Sequence, residues 1–455
     1  MTTMLDTTTT ELDATVAGPV LEPGDPGYTE EVASFSLTFA ATPAVVVGAT
    51  SATDVAAAVR FAARTGRRVA VQSTGHGLQS DLAGTVLIST RRMITVTVDP
   101  DAATARVQAG ARWRQVIDAA APYGLAPLNG SSSQVGVVGY TLGGGLGPMC
   151  RRYGFAADHV RRFTLVTADG EIRDVTADTH PDLFWAVRGG KSTFGIVTDL
   201  TFDLMPVARI YGGCVVFPTE AARAVLHAWR EWAPALSDDT TTSVAMLRLP
   251  PDPSLPESLQ GKFVTMLRFA HLGSAEEGAA LLAPMRALAT PLMDMVDEMP
   301  YAAIDAVHMD PTEPMPVRER GVAVDTLPAA AVDALLATAG PDVPAPLAMV
   351  EIRLLGGALA RQPEVPNAVT GRGAAFSVFV IGAPFGPPIE ATAAGMAAVI
   401  DAMRPWTCGA LLNFVGTATP EQVGRLWNAT DRARLLEIRD RVDPTGLFAT
   451  NVHIG

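Results

Sequence analysis

The residues best placed to do chemistry stand in one short stretch, Val69-Ala-Val-Gln-Ser-Thr-Gly-His-Gly77. A buried-looking run there ends in a polar loop that displays His76 between two glycines. Glycine has no Cβ, so backbone N–H groups beside it can approach a phosphate closely. A second glycine cluster follows, Val135-Gly-Val-Val-Gly-Tyr-Thr-Leu-Gly-Gly-Gly-Leu-Gly147. Two glycine loops and a histidine imply a large, extended, phosphate-bearing cofactor. Glycine at this density costs unfolded-chain entropy, which is tolerated where close backbone approach is needed.

These loops need elements to hold them. Ala44–Val47 reads as a buried strand. Ser51-Ala-Thr-Asp54 opens a helix whose Val55, Ala58, Val59 and Ala62 share a face, and Gly66 stops it. Residues 68–73 form the next strand. The three make a βαβ unit, with the His76 loop at its carboxyl edge, where ligands tend to bind. Strands are expected at 85–89, 94–98 and 104–108, and a helix at 112–121. A hairpin turns at Asp169-Gly170, between strands 163–167 and 171–175. A helix at 181–188 and a strand at 196–204 follow. From residue 208 the composition shifts toward Pro, Met and Ala. Strand-like runs at 243–247, 263–269, 349–355 and 375–381 alternate there with helices at 219–235, 275–289 and 329–339. The tail carries a helix at 432–441 and is compositionally closer to the first part.

Composition narrows the field. At 455 residues the chain should form about two or three cores. A net charge of −13 and a pI near 5.0 argue against broad nucleic-acid or anionic-membrane binding. Cys150, Cys214 and Cys408 form no paired framework, which fits a reducing compartment. The start lacks the basic and apolar regions of a signal peptide, and no uninterrupted apolar run is long enough for a span. The expectation is a cytoplasmic protein.

Other motifs fail on inspection. Gly189-Gly-Lys-Ser192 resembles the end of a phosphate-binding P-loop, but Trp185 stands where the first glycine is required. Residues 143–147 do not form the glycine fingerprint of nicotinamide-binding Rossmann folds. The seven histidines show no metal-ligand spacing, so no metal site is expected. A nucleophile elbow is missing as well.

Several motifs taken together resemble the FAD-linked oxidases of the vanillyl-alcohol oxidase superfamily, in particular the bacterial berberine-bridge-enzyme-like group. They are Thr74-Gly-His-Gly77, Val135-Gly-Val-Val-Gly139 with Gly143-Gly-Gly-Leu-Gly147, and Arg152-Tyr-Gly-Phe-Ala-Ala-Asp158. Asp182-Leu-Phe-Trp-Ala-Val-Arg-Gly-Gly190 with Phe194-Gly-Ile-Val-Thr198, Gly356-Gly-Ala358, Asn413-Phe414 and Asp443-Pro-Thr-Gly-Leu-Phe448 complete the set. They occur in the family's order across most of residues 40–455. The resemblance implies an α+β chain: a two-domain PCMH-type FAD-binding fold with an antiparallel-sheet substrate domain. Residues 1–207 would bind FAD, with 410–455 returning to that domain, and 208–409 would roof the flavin.

It also implies roles. His76 would bond covalently to the flavin 8α-methyl carbon. Ser73, Thr74, Gly75 and Gly77 would hold the pyrophosphate. Gly136, Gly139, Gly143, Gly144 and Gly145 would pass under the ring and ribityl chain. Ile196 and Val197 would lie near the adenine, and Asn451 would approach the ring. Many relatives carry a second flavin-linking cysteine where this chain has Ser132, so a single covalent link is expected. Relatives often show Tyr-x-Asn near the C-terminus, whereas here the stretch reads Leu411-Leu-Asn413. A proton acceptor must then come from Glu351, Arg353, Tyr140 or His308. The implied activity is transfer of hydride from a small-molecule alcohol or amine to the covalently bound flavin, with O2 as acceptor, in secondary metabolism. The alternatives are a dehydrogenase using another acceptor and a flavin-bearing non-redox cyclase or isomerase. Oligomeric state is not legible.

Overall fold

The computed structural model describes residues 9–78, 80–384, 387–416, 419–449 and 454. Asn451 therefore lies outside the described residues. Within them the chain builds three sheets, two before residue 207 and one after it.

The first sheet has four strands: β1 (Val20–Leu21), β2 (Val45–Gly48), β3 (Val69–Gln72) and β4 (Val86–Ser89). The helix Ala52–Thr65 joins β2 to β3. Ser51 accepts from the Asp54 backbone N–H at its start, and Gly66 closes it in a left-handed conformation. The order is β1-β2-β4-β3, so β2 and β3 both run parallel to β4 and do not touch each other. The βαβ unit is therefore wider than a compact one: its crossover skips a slot, and β4 fills it.

The second sheet is antiparallel. It comprises β5 (Val96–Asp99), β6 (Thr104–Gln108), β7 (Val160–Val166), β8 (Ile172–Val175) and β9 (Ile196–Asp203), in the order β5-β6-β9-β7-β8. The expected hairpin is β7–β8, with Gly170 at positive φ in its turn.

The third sheet is antiparallel with nine strands: β10 (Arg209–Phe217), β11 (Thr240–Arg248), β12 (Phe263–His271), β13 (Met293–Asp294), β14 (Asp297–Pro300), β15 (Glu319–Val324), β16 (Leu347–Leu354), β17 (Phe376–Gly382) and β18 (Thr407–Gly409). Helices Ala222–Trp232, Ala275–Arg286, Ala329–Ala339 and Ile389–Met403 accompany it. Helix Ala222–Trp232 buries Val225, Leu226 and Trp229 against Val244, Leu267 and Phe269 of the sheet. Strands β10, β13, β14, β15 and β18 and the helix 389–403 were not anticipated. Most are short edge strands or runs too glycine-rich to alternate clearly. The fold is the PCMH-type FAD-binding fold with an antiparallel-sheet second part.

The largest apolar cluster mixes residues from both sides of position 207. It joins Trp113, Phe163, Phe184 and Phe202 to Ile210, Tyr301, Ile304 and Leu412. Among the described residues no helix is long and apolar enough to cross a membrane.

Candidate active site

The His76 loop leaves β3 and is fixed to the preceding segment. The Phe35 N–H donates to the Thr74 carbonyl (2.9 Å) and the Ser36 N–H to the Gly75 carbonyl (3.3 Å). Gly75 takes φ +72°, and a Cβ there would lie 2.3 Å from Ser34 Cβ. The His76 ring stacks on Phe35 with centroids 3.9 Å apart, and its Nδ1 lies 2.8 Å from Thr74 Oγ1. Burial and the charge of Arg112 push the imidazole down to about 4, against the pull of Asp310. His76 is thus neutral at pH 7, the form in which a ring nitrogen is nucleophilic.

The first glycine loop meets the second. A Cβ on Gly136 would sit 3.1 Å from Ser73 Oγ. That hydroxyl is buried and has no hydrogen-bond partner among the described residues, as is true of Thr141 Oγ1 close by in sequence. Beside Gly77 and Gly139 a Cβ would meet nothing within 4 Å. An orphaned hydroxyl, a cradle without side chains and open space fit the phosphates of a dinucleotide. Gly143 and Gly145 are crowded instead. A Cβ on Gly143 would lie 2.0 Å from Asn413 Oδ1 and 2.4 Å from Lys191 Cε, and one on Gly145 2.6 Å from the Tyr140 ring. Their glycines let Tyr140, Lys191 and Asn413 pack onto the backbone, and Asn413 Nδ2 donates to the Tyr140 carbonyl at 2.8 Å.

Ser132 is buried in the loop before this cluster and accepts from the Gln134 N–H (3.3 Å). Its neighbour Ser133 donates from backbone N–H (2.8 Å) and from Oγ (2.6 Å) to Asp305, which Arg114 also grips. Ile196 and Val197 are buried at the start of β9. Ile196 lines a small cavity of about 150 Å³ with Val69, Val71, Ser192, Phe448 and Ala449.

A larger cavity, about 350 Å³ including its mouth, opens between the second glycine cluster and the nine-stranded sheet. Leu146, Gly147, Pro148 and Cys150 form one wall. Thr241, Thr242, Ser243, Arg268, His308 and Arg353 supply its polar lining. The sheet places three of these in one row. Arg268 on β12 and Arg353 on β16 both lie opposite Ser243 of β11.

Glu351 stands two residues before Arg353 and is fully buried. Its Oε1 accepts from Ser243 Oγ (2.7 Å) and Arg268 Nη1. Its Oε2 accepts from Arg353 Nε (2.7 Å). Burial alone would raise this carboxyl, but the charges of Arg268 and Arg353 override it and hold it well below the usual range. His308 Nε2 faces Glu351 Oε1 at 4.0 Å, while its buried Nδ1 lacks a partner. Burial and the two guanidiniums push His308 down to about 3, so it is neutral. The Tyr140 hydroxyl is buried without a partner, and burial raises it well above 10. Cys150 is pushed up to about 11 by burial and stays a thiol.

The structure thus brings Ser73, Thr74, His76 and Gly136 together, and Glu351, Arg353 and His308 together. Sequence reasoning missed Arg268 and Ser243. Only one signal existed for Arg268, a charge inside the otherwise apolar run Phe263-Val-Thr-Met-Leu-Arg-Phe-Ala-His271. Lys191 and Glu319 were also missed. Burial pushes the Lys191 amine down to about 8 and the Glu319 carboxyl up to about 7. Among the described residues no cluster of His, Cys, Asp and Glu is suited to a metal ion.

Residues 43–176 match a family described as FAD binding domain. An FAD-linked oxidoreductase of Bacillus subtilis (strain 168), YgaK, is 29% identical over 299 residues, covering 64% of this chain and 63% of that protein. The (R)-6-hydroxynicotine oxidase of Paenarthrobacter nicotinovorans is 31% identical over 225 residues, covering 49% and 46%. The chain thus spans less than two thirds of these relatives' length. The solved structure of wild-type BBE-like 1 from Physcomitrella patens superposes with a TM-score of 0.84 at 18% identity, covering 98% of this chain and 99% of that one.

Fold and domain together define a flavoprotein architecture. The chain carries an FAD binding domain over residues 43–176, its fold is that of the berberine-bridge-enzyme-like structure, and its cofactor is FAD.

Proposed function

We propose that the protein is an FAD-dependent oxidase of a small-molecule alcohol or amine, with O2 as terminal acceptor. One observation carries this reading: the polar cavity shares a wall with the second glycine cluster, so anything bound there lies against the cofactor-binding part. When bound, FAD supplies a two-electron acceptor for a hydride from a substrate carbon. Ser73, Thr74, Gly75 and Gly77 hold the diphosphate, and neutral His76 carries the single covalent link. Ile196 and Val197 wall the adenine side. Within the domain division read from the sequence, the cavity falls on the joint at 207–208.

The protein groups then orient the substrate and manage its proton. Glu351 serves as counter-ion, because arginine and serine donors occupy both of its oxygens. That carboxylate favours the His308 tautomer with hydrogen on Nε2. Nδ1 is left as an acceptor for the substrate O–H or N–H; with two guanidiniums opposing its charging it is a weak base, and its part is to orient that hydrogen. Tyr140 stays protonated and packs against Trp113 (ring centroids 5.4 Å).

Acid precipitation tests the linkage. Wild-type polypeptide should keep its yellow colour in the pellet, and His76→Ala should release it to the supernatant. A His76→Ala pellet that stays yellow sinks the assignment. Peroxide released stoichiometrically with substrate consumption supports the oxidase. Reoxidation by a dye but not by air identifies a dehydrogenase, and turnover with no change in flavin absorbance a non-redox role.

A further inference from the structure

The charged groups that the cavity presents on its surface are cationic. Its lining contains two guanidiniums and no carboxylate, since Glu351 stands behind them. Arg268 is 3% exposed. Its Nε is buried without a partner among the described residues. Beyond Glu351, its other donors reach only the His308 carbonyl at 3.4 Å and the Met349 sulfur at 3.8–3.9 Å. A guanidinium has five N–H donors, and burying it short of acceptors is unfavourable. The other charges nearby do not fill this gap. Cys150 and Cys214 remain thiols. Arg151 faces Asp238 at 3.7 Å. Asp310 is half-buried and pulls on Arg268 and His308, yet lies outside the lining. His308 is neutral, and its vacant Nδ1 adds a second polar contact point.

We propose that the cavity recognises its substrate through a carboxylate, seated on the row formed by Arg268, Ser243 and Arg353. A carboxylate suits two guanidiniums, because each presents donors in a planar fork. Leu146, Pro148, Val307 and Leu354 offer the rest of the molecule an apolar surface. The substrate class is thus a small organic acid bearing the hydroxyl or amine to be oxidised. That this acid is what the enzyme oxidises rests on the function proposed above; the anion site itself does not.

Calorimetric titration of the protein as purified tests this, with flavin content measured on the same sample. The ligands are benzoate and mandelate, their amides, and inorganic phosphate. Each acid should bind at least tenfold more tightly than its amide. Arg353→Gln should bring the acids down to the level of the amides, and Glu351→Gln, which removes the internal competitor, should leave acid binding equal or tighter. Equal affinity of acid and amide in the wild type overturns the proposal even if neither variant folds. So does Arg353→Gln binding the acids unchanged, or phosphate competing as well as benzoate. Colourless protein that still prefers the acids defeats the flavin reading and leaves the anion site standing.

Discussion

His308 and His159 show how one side-chain type takes opposite parts in this chain. His308 is buried among cations and stays neutral. Replacing it with Gln keeps a similar volume but removes the ring nitrogen that orients the substrate hydrogen. We expect kcat to fall on the order of 10²-fold with KM little changed, measured by steady-state peroxide release. An equal loss in KM would mean that the residue only binds. His159 lies 3.5 Å from Asp203 and has its Nε2 2.7 Å from the Tyr153 carbonyl. Burial opposes its charging, but both partners favour it, and the balance raises the imidazole above its ordinary 6.5. Its contribution is therefore complete below about pH 6.5 and lost as pH rises through the higher folded value. The stability difference between wild type and His159→Gln should be larger at pH 5.5 than at pH 8.5, as read from urea midpoints. At this scale the sequence displayed His76 plainly, because glycines flank it. It hid Ser243, whose importance comes only from standing opposite two arginines.

In the proposed cofactor site, loops rather than strands carry the assigned contacts. Residues 73–77 keep their shape because Gly75 adopts a left-handed conformation against Ser34. Gly75→Ala combines backbone strain with a clash. It should cost more than about 1 kcal/mol and lower the flavin-to-protein ratio, checked by denaturation and absorbance. Unchanged values for both would show that the loop tolerates another path. Element types in the first part were legible, since β2, the helix 52–65 and β3 carry clear periodicity and caps. Strand neighbours were not. The insertion of β4 between β2 and β3, and the register that aligns β12, β11 and β16, depend on long-range pairing. Local pattern says nothing about that.

Across the molecule, the parts before and after residue 207 share one apolar cluster and several buried polar ties. Arg188 is completely buried and donates to the carbonyls of Phe184 (2.9 Å), Ala157 (3.3 Å), Val365 (3.3 Å) and Pro366 (2.7 Å). Tyr301 Oη meets Asn129 Oδ1 at 2.7 Å, and Asn367 Nδ2 donates to Asp158 Oδ1 at 2.7 Å. Arg188→Met strands several buried carbonyls at once and should cost at least about 2 kcal/mol. Wild type should unfold in a single transition, with circular dichroism and tryptophan fluorescence coincident. Separate transitions would refute a shared core. The composition break near 208 was visible in the sequence; the joint across it was not, because its partners lie as far apart as Tyr140 and Asn413, 273 positions.

The row on the nine-stranded sheet has a consequence for how such a protein diversifies. Side chains on one face of adjoining strands keep a fixed spacing, roughly 4.8 Å from strand to strand. Exchanging Arg268, Ser243 or Arg353 would redraw what the chamber admits without shifting main chain. The turns we assign to the dinucleotide come from residues before 150, while those three come after 240. The chamber's polar row and the turns assigned to the pigment thus lie on separate stretches of polypeptide, which meet at the wall formed by Leu146, Gly147, Pro148 and Cys150.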